Sequence, residues 1–409
     1  MTPARAATAA AVVLALAGII IGVVAVPWDA MVTPWASLDV TAIAAFTQAH
    51  VTTIAEYADA VWLPSLLAWL AGPTTAILVV ANPRWRRRLC SLGPQGRPFL
   101  GDLVAVAALL VLARLSTLPW WLWASSVRRD AGLLIAPWWT EALRWIAESL
   151  AVVGLGAIAA AAGMAVVRRW PTHGWLAVVV AAMLVTATVS ALAPLLQRVE
   201  GTRADPALTA RVMAIADQLG VDVGNVTVIE TADRSPALNA NVSGWGPTRT
   251  VTLFDTVTAD ATGAEIDALV AHELVHVREN DVVLGTALAV VGTGVVVSLG
   301  FALAFTVPVR RRLDARTVAD RPVLLLLVAV VMTGSVFGTI VAASMSRSIE
   351  ARADREAVAA TGDPSAYSDL MIRLAVTNKS TLEPPQWRYA LFFTHPTPLQ
   401  RLAALDAAN

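Results

Sequence analysis

The sequence predicts a mainly α membrane protein, with about seven transmembrane helices and a small α+β domain. Three observations predict it. Of 409 residues, 57% are hydrophobic and only 15% are charged, and the mean hydropathy is +0.64; soluble domains carry about a quarter charged residues. Seven apolar stretches are long enough to cross a ~30 Å hydrocarbon core. Two polar blocks, 197–281 and 344–409, interrupt them. This composition excludes a water-soluble enzyme and a disordered chain. Lys+Arg and Asp+Glu are both 30, so no net field recruits nucleic acid. The single cysteine, Cys90, excludes an intrachain disulfide and a cysteine-rich metal site.

The expected spans are Ala9–Val26, Val61–Ala81, Leu103–Trp123, Ala147–Val167, Trp175–Leu196, Val282–Val307 and Val323–Ala343. The first has one nearby arginine and no clean small-residue cleavage site after it, so it reads as a retained span and not a signal peptide. Residues 27–60 hold Asp29, Asp39, His50, Glu56 and Asp59 and read as an interfacial loop with helical pieces. Thirteen of the 15 tryptophans precede residue 200. Tryptophan favours the bilayer–water boundary, so residues 1–196 form the main membrane domain, with five spans. Residues 197–409 form a second domain that includes the last two spans.

The first polar block alternates helix and strand. Asp205-Pro206 starts a helix that Gly220 ends. Asn225–Thr231 alternates like a strand, Asn239–Ser243 is a short extended piece, and Thr248–Phe254 is the strongest strand. Thr262 with Glu265 three residues on makes a capping box. The helix it opens runs through Ala271 to Asn280 and is expected to continue into the sixth span.

That helix carries His272-Glu273-Leu274-Val275-His276, an H-E-x-x-H motif. Residues four apart share a helix face, so both imidazoles can reach one metal ion. Glu273 can contact water on that ion. Zinc suits these ligands, and a catalytic site needs a third ligand plus an open position. Two of the chain's five histidines lie in this motif; the alternative is a pair of ordinary surface histidines. Glu350 is the best third ligand. Two spans separate it from His276, and an even number of crossings returns the chain to the same side. Asp354, one turn on, can hydrogen-bond a ligand histidine. Read alone, Glu350, Arg352, Asp354 and Arg355 also fit a solvated charged face.

His272-Glu273-x-x-His276 with Glu350-x-x-x-Asp354 resembles the integral-membrane zinc metallopeptidase family of the type I CAAX prenyl protease and the HtpX-type proteases. Asn239-Ala240, Gly244, Leu253-Phe254-Asp255-Thr256, Asp281, and His395-Pro396 with Arg401 also match that pattern. Seven spans with the motif between the fifth and sixth look like the CAAX-protease branch. The resemblance implies a gluzincin-like domain and one Zn²⁺ bound by His272, His276 and Glu350. It implies Glu273 as the base that activates zinc-bound water, with Asp354 behind the ligands. His395 and Arg401 then stabilise the oxyanion or anchor a substrate terminus. They also read as a His-Pro turn and a helix cap. Asn239 and Ala240 pair with substrate backbone as an added strand, although Asn239 also reads as an ordinary loop residue. Asn241 departs from the aromatic common in the family.

The implied activity is a membrane-embedded metalloendopeptidase in the cell membrane, acting on membrane-associated proteins or peptides. Quality control and prenyl-protein processing are both open versions of it, and a regulatory sensor protease is an alternative. Few charges lie inside the spans, which disfavours a transporter; Arg114 is the exception. Glu279-Asn280-Asp281 separates the motif from the sixth span, which favours cleavage at the membrane surface. Twelve arginines in loops 82–98, 168–174 and 308–322 outweigh three in the opposite short loops. The arginines flanking the polar blocks offset that bias, so the orientation stays open.

Overall fold

The computed structural model describes residues 2–30, 42–94, 96–197, 201–244 and 249–406. Asp39 and Thr248 fall outside these residues. Helices α1 (Pro3–Ala25), α2 (Gln48–Ala81), α3 (Pro83–Ser91), α4 (Pro98–Asp130), α5 (Trp138–Arg169) and α6 (Gly174–Gln197) form the first part. Then come β1 (Thr202–Arg203), α7 (Pro206–Leu219), β2 (Asn225–Ile229), β3 (Ala240–Ser243), β4 (Thr250–Phe254), α8 (Asp255–Asp260) and α9 (Gly263–Arg278). The chain ends with α10 (Asp281–Ala304), α11 (Val307–Arg312), α12 (Arg321–Thr361), α13 (Pro364–Thr377), α14 (Gln386–Phe392) and α15 (Pro398–Asp406).

Among the described residues, seven helices are long and apolar enough to span a bilayer: α1, α2, α4, α5, α6, α10 and α12. They are the seven expected, and the chain is a multi-pass membrane protein. Their outward apolar side chains stay exposed, as lipid-facing residues must, and small residues let them approach one another. A Cβ on Gly294 of α10 would meet Leu14 of α1 and Met183 of α6, both at 2.8 Å. The first span is therefore integral to the bundle. Its buried Ala7 belongs to the same core as Leu109, Met164, Phe301 and Leu325.

Two expectations at helix ends are corrected. Residues 48–60 are not loop; they are the first turns of α2, which projects beyond the apolar segment. Val51, Ile54 and Ala58 lie at helical spacing, and Ile54 packs into the core of the α+β domain. The sequence's acidic residues mask that stripe. The helix of the H-E-x-x-H motif also does not run on into the sixth span. It stops at Arg278, and Asn280 takes a left-handed conformation (φ 59°) before α10 begins at Asp281. Asparagine is one of the few residues that adopts this conformation readily.

The α+β domain has a four-stranded sheet in the order β1-β2-β4-β3. β2 and β4 run parallel, with Val226 opposite Val251 and Val228 opposite Leu253. β3 is antiparallel to β4, with Ala240 opposite Leu253, and forms one edge of the sheet. Val226, Val251, Leu253 and Ala240 bury against Val212, Leu269, Leu274, Tyr367 and Leu370. This core presses α9 against α12, and that contact builds the site.

Candidate metal centre

α9 begins with the expected capping box: Thr262 Oγ1 accepts from Glu265 N, and Glu265 Oε2 accepts from Thr262 N. Arg373 of α13 donates to the other oxygen of Glu265 at 2.7 Å. Ile266, Leu269, Val270 and Leu274 are buried, which fixes the rotation of α9 and turns His272 and His276 towards α12. One ligand atom each from His272, His276 and Glu350 lies within 4.8 Å of the others. His272 Nε2 is 3.2 Å from His276 Nε2 and 3.2 Å from Glu350 Oε2. His276 Nε2 is 3.6 Å from Glu350 Oε1.

The other ring nitrogens face carboxylates. His272 Nδ1 lies 3.0 Å from Asp354 Oδ1, and His276 Nδ1 lies 2.9 Å from Asp281 Oδ2. Each aspartate is held by an arginine. Arg401 Nε donates to Asp354 at 2.8 Å, with a second bond from the same guanidinium. Arg352 donates to Asp281. A carboxylate only accepts, so the hydrogen bond to Asp281 puts the proton of His276 on Nδ1. The negative charge of Asp354 favours the same tautomer at His272, whose Nδ1 is near it but outside hydrogen-bonding geometry. A neutral imidazole then presents a bare lone pair at Nε2. Two such lone pairs and a carboxylate converge, and the buried Glu350 Oε2 has no hydrogen-bond partner. Only a cation or an added proton relieves this. Zn–N bonds of 2.0–2.1 Å in a tetrahedron set a ligand edge of about 3.3 Å, which fits the observed 3.2 Å between imidazoles. The donor set suits a zinc ion.

In the metal-free protein a proton takes that place. Burial lowers the basicity of His272, but Asp354 and Glu350 outweigh it and push the imidazole up to about 10. Glu273, between the ligands in sequence, is half-buried. Burial raises its carboxyl above the usual range, against the pull of His272 and His276. It makes no hydrogen bond within the described residues, so it is free to accept a proton.

His395 joins the cluster from the α14–α15 turn. Its Nε2 is 3.3 Å from Glu350 Oε1, and its side chain is 56% exposed, so it marks the open side. Arg401 is turned elsewhere. Its guanidinium grips Asp354 and donates to Tyr367 Oη at 2.9 Å, behind the ligand histidine and not on the open side. Asn239 precedes edge strand β3. Its carbonyl accepts from Phe254 N, and its Oδ1 accepts from Ala240 N at 2.9 Å. Asn378, the C-cap of α13, fixes this entry by pairing with both backbone groups of Leu238.

Several contributors escaped the sequence reading. Asp281 was visible only as a polar position, because its partner His276 is reached through the turn at Asn280. Arg352 and Tyr367 gave no motif. Arg347, one turn before Glu350, donates to the carbonyls of Tyr389 and Phe393 at 3.2 and 2.7 Å. It thereby caps α14 two residues before His395.

Residues 202–409, just over half of the chain, match the model of Peptidase family M48. The chain belongs to this family. It is 28% identical over 203 residues to the uncharacterized metalloprotease YhfN of Bacillus subtilis (strain 168), covering 48% of this chain and 46% of that one. It is 28% identical over 160 residues to a protease HtpX homolog of Campylobacter concisus (strain 13826), covering 35% of this chain and 54% of that one. The chain thus spans about half the length of these relatives. The crystal structure of S. mikatae Ste24p superposes over 99% of both chains with a TM-score of 0.70 and 17% identity. That likeness concerns the fold alone, and it includes the five N-terminal spans.

Proposed function

We propose that this M48-family chain is a zinc-dependent metalloendopeptidase that hydrolyses peptide bonds of membrane-associated proteins or peptides. One observation carries the reading: two imidazole Nε2 atoms 3.2 Å apart, with Glu350 Oε2 3.2 Å from the first of them. Two histidines, one glutamate and an open side form the donor set of a catalytic zinc, and we assign one ion per chain. When bound, the ion supplies Lewis-acid polarisation of a carbonyl and acidifies water at neutral pH.

The chain's own residues do the rest. Glu273 takes a proton from the attacking water and delivers it to the leaving amine; its raised pKa suits both steps. The exposed imidazole of His395 donates a hydrogen bond to the oxyanion as charge develops there. Asp354 and Asp281 orient the two ligand imidazoles. We assign Arg401 a positioning role through Asp354 in place of direct contact with substrate. Asn239 and Ala240, at the edge of the sheet, offer backbone groups to an extended peptide. We divide the chain at 196/197 into a membrane domain and a peptidase domain, a boundary supported by the family match beginning at residue 202.

The test is metal content and peptidase activity of the detergent-purified protein beside Glu273→Ala. We expect near-stoichiometric zinc in both and cleavage of casein by wild type alone. Absence of zinc, or equal cleavage by both, overturns the proposal. The seven-helix match supports offering a farnesylated peptide as well, and preference for it over casein selects prenyl-protein processing over quality control.

A further inference from the structure

We propose that the bundle carries a binding site for one anionic phospholipid, far from the metal ligands. A groove of about 600 Å³ runs between α2 and α10 with α12 as its floor, within the size range of ligand pockets. Ile77, Leu299, Leu303, Val330, Thr333 and Phe337 are among its lining residues. Ile77, Leu299, Leu303 and Phe337 are each more than 40% exposed. The opposite face of α12 packs inward: Met332 lies against Gly72 of α2, where Thr117 of α4 also approaches. At the floor of the groove α12 approaches α10 closely: a Cβ on Gly334 would come within 2.5 Å of Val296.

One end of the groove is basic. Arg86 and Arg312 line it, where α2 and α10 end and α12 begins, so this end lies at the membrane surface. Arg86 is only 2% exposed. It donates to the carbonyls of Val80 and Arg312 and lies 3.3 Å from Asp314, yet its buried Nε has no partner. Arg87 shares the same Asp314 at 3.5 Å. Arg312 forms no ion pair among the described residues, and its side chain is exposed. Two guanidinium groups thus share one carboxylate and the third, Arg312, pairs with none, which leaves an excess of positive charge beside an apolar slot. Basic pockets between transmembrane helices bind phospholipid headgroups, and guanidinium–phosphate bonds are the strong, charge-assisted kind.

The dimensions select a lipid over a peptide. From Leu326 to Phe337 the groove follows α12 for about 16 Å at 1.5 Å per residue, roughly one leaflet of a ~30 Å core. Leu326 lies about 36 Å along the helix from Glu350, so a peptide held at this end does not reach the metal ligands. The phosphate sits at Arg312 and Arg86, and an acyl chain follows the groove to Phe337.

The full chain in detergent is offered phosphatidylglycerol or phosphatidylcholine and examined by native mass spectrometry and thermal melting. We expect one phosphatidylglycerol retained per chain with a raised Tm, and at least tenfold less phosphatidylcholine. Arg312→Glu, at an exposed side chain, is expected to lower phosphatidylglycerol retention at least tenfold with an unchanged lipid-free Tm. Thr333→Trp, which fills the slot and keeps every charge, is expected to do the same. Arg169→Glu makes the same charge change at the same end of the bundle outside the groove and is expected to retain the lipid. Equal retention of the two lipids, an equal loss in Arg169→Glu, a Tm rise of the same size with inorganic phosphate, or a co-purifying peptide in place of lipid overturns the proposal.

Discussion

Replacing Asp354 by asparagine separates two things the residue does: it orients His272, and it neutralises Arg401. The amide keeps the shape of the side chain and an oxygen opposite His272 Nδ1, which stands 3.0 Å away. The charge is lost. Removing such an outer partner weakens metal affinity about 10–100-fold, or about 1.4–2.7 kcal/mol. Arg401 is only 13% exposed at its side chain and loses its carboxylate. Breaking a buried ion pair costs about 3–5 kcal/mol; the surviving bond to Tyr367 Oη points to the lower end. The assays are a zinc titration against a competing chelator and thermal melts with and without chelator. The double variant Asp354→Asn/Arg401→Met removes both charges. We expect its metal-free Tm to recover towards wild type while its zinc affinity stays weak. Wild-type zinc affinity in the single variant refutes the orienting role. Recovery of affinity to within twofold in the double variant shows that the loss came only from the stranded arginine.

Four further outcomes follow from the same geometry. Zinc must displace the proton that His272 holds up to about pH 10 in the metal-free protein. Calorimetry at pH 7 in two buffers of different ionisation enthalpy is therefore expected to show about one proton released per ion; none released contradicts a protonated His272 in the metal-free protein. Because this folded-state value is raised above the ordinary ~6.5, its stabilisation of the chelated protein is complete below about pH 6.5 and is lost as pH rises through about 10; a chelated-protein Tm that rises over that range contradicts this. Arg347→Ala removes the cap on α14 and is expected to lower kcat/KM on casein at least tenfold with zinc content unchanged, Arg347→Lys restoring part of it; full activity of the alanine variant shows that His395 needs no such support. Asn280→Ala forces a left-handed conformation on alanine at about 1–2 kcal/mol, seen as a lower Tm, whereas Asn280→Gly keeps the wild-type Tm; equal Tm values for the two variants contradict the strain argument.

The parts of the fold that could be read in the sequence were those set by local pattern. Apolar length identified all seven spans, and the Thr262–Glu265 box marked the start of α9. Spacing within one helix aligned His272 with His276, and counting crossings brought Glu350 to the same side. What stayed hidden depends on contacts between distant segments. The first turns of α2 looked like loop because the partners of Ile54 lie in the α+β domain. Arg401 pointed to the site as a residue, but its direction is decided by Asp354 and Tyr367, 47 and 34 residues away in sequence. Asp281 needed the chain break before it.

That break explains why the motif helix and the sixth span are two helices. On one continuous helix, Asp281 would stand five residues beyond His276, off the shared face of positions three and four apart. Asn280 reverses the chain locally, and Asp281 opens α10 with its carboxylate 2.9 Å from His276 Nδ1. Arg352 then closes the loop from α12, two residues after Glu350. His272 is served by the same arrangement from the other side, through Asp354 and Arg401. Each ligand imidazole thus has an aspartate and an arginine behind it, and α12 contributes the aspartate to one set and the arginine to the other. A shift of α12 against α9 disturbs both ligands and Glu350 together, so the site is as rigid as the packing of these two helices.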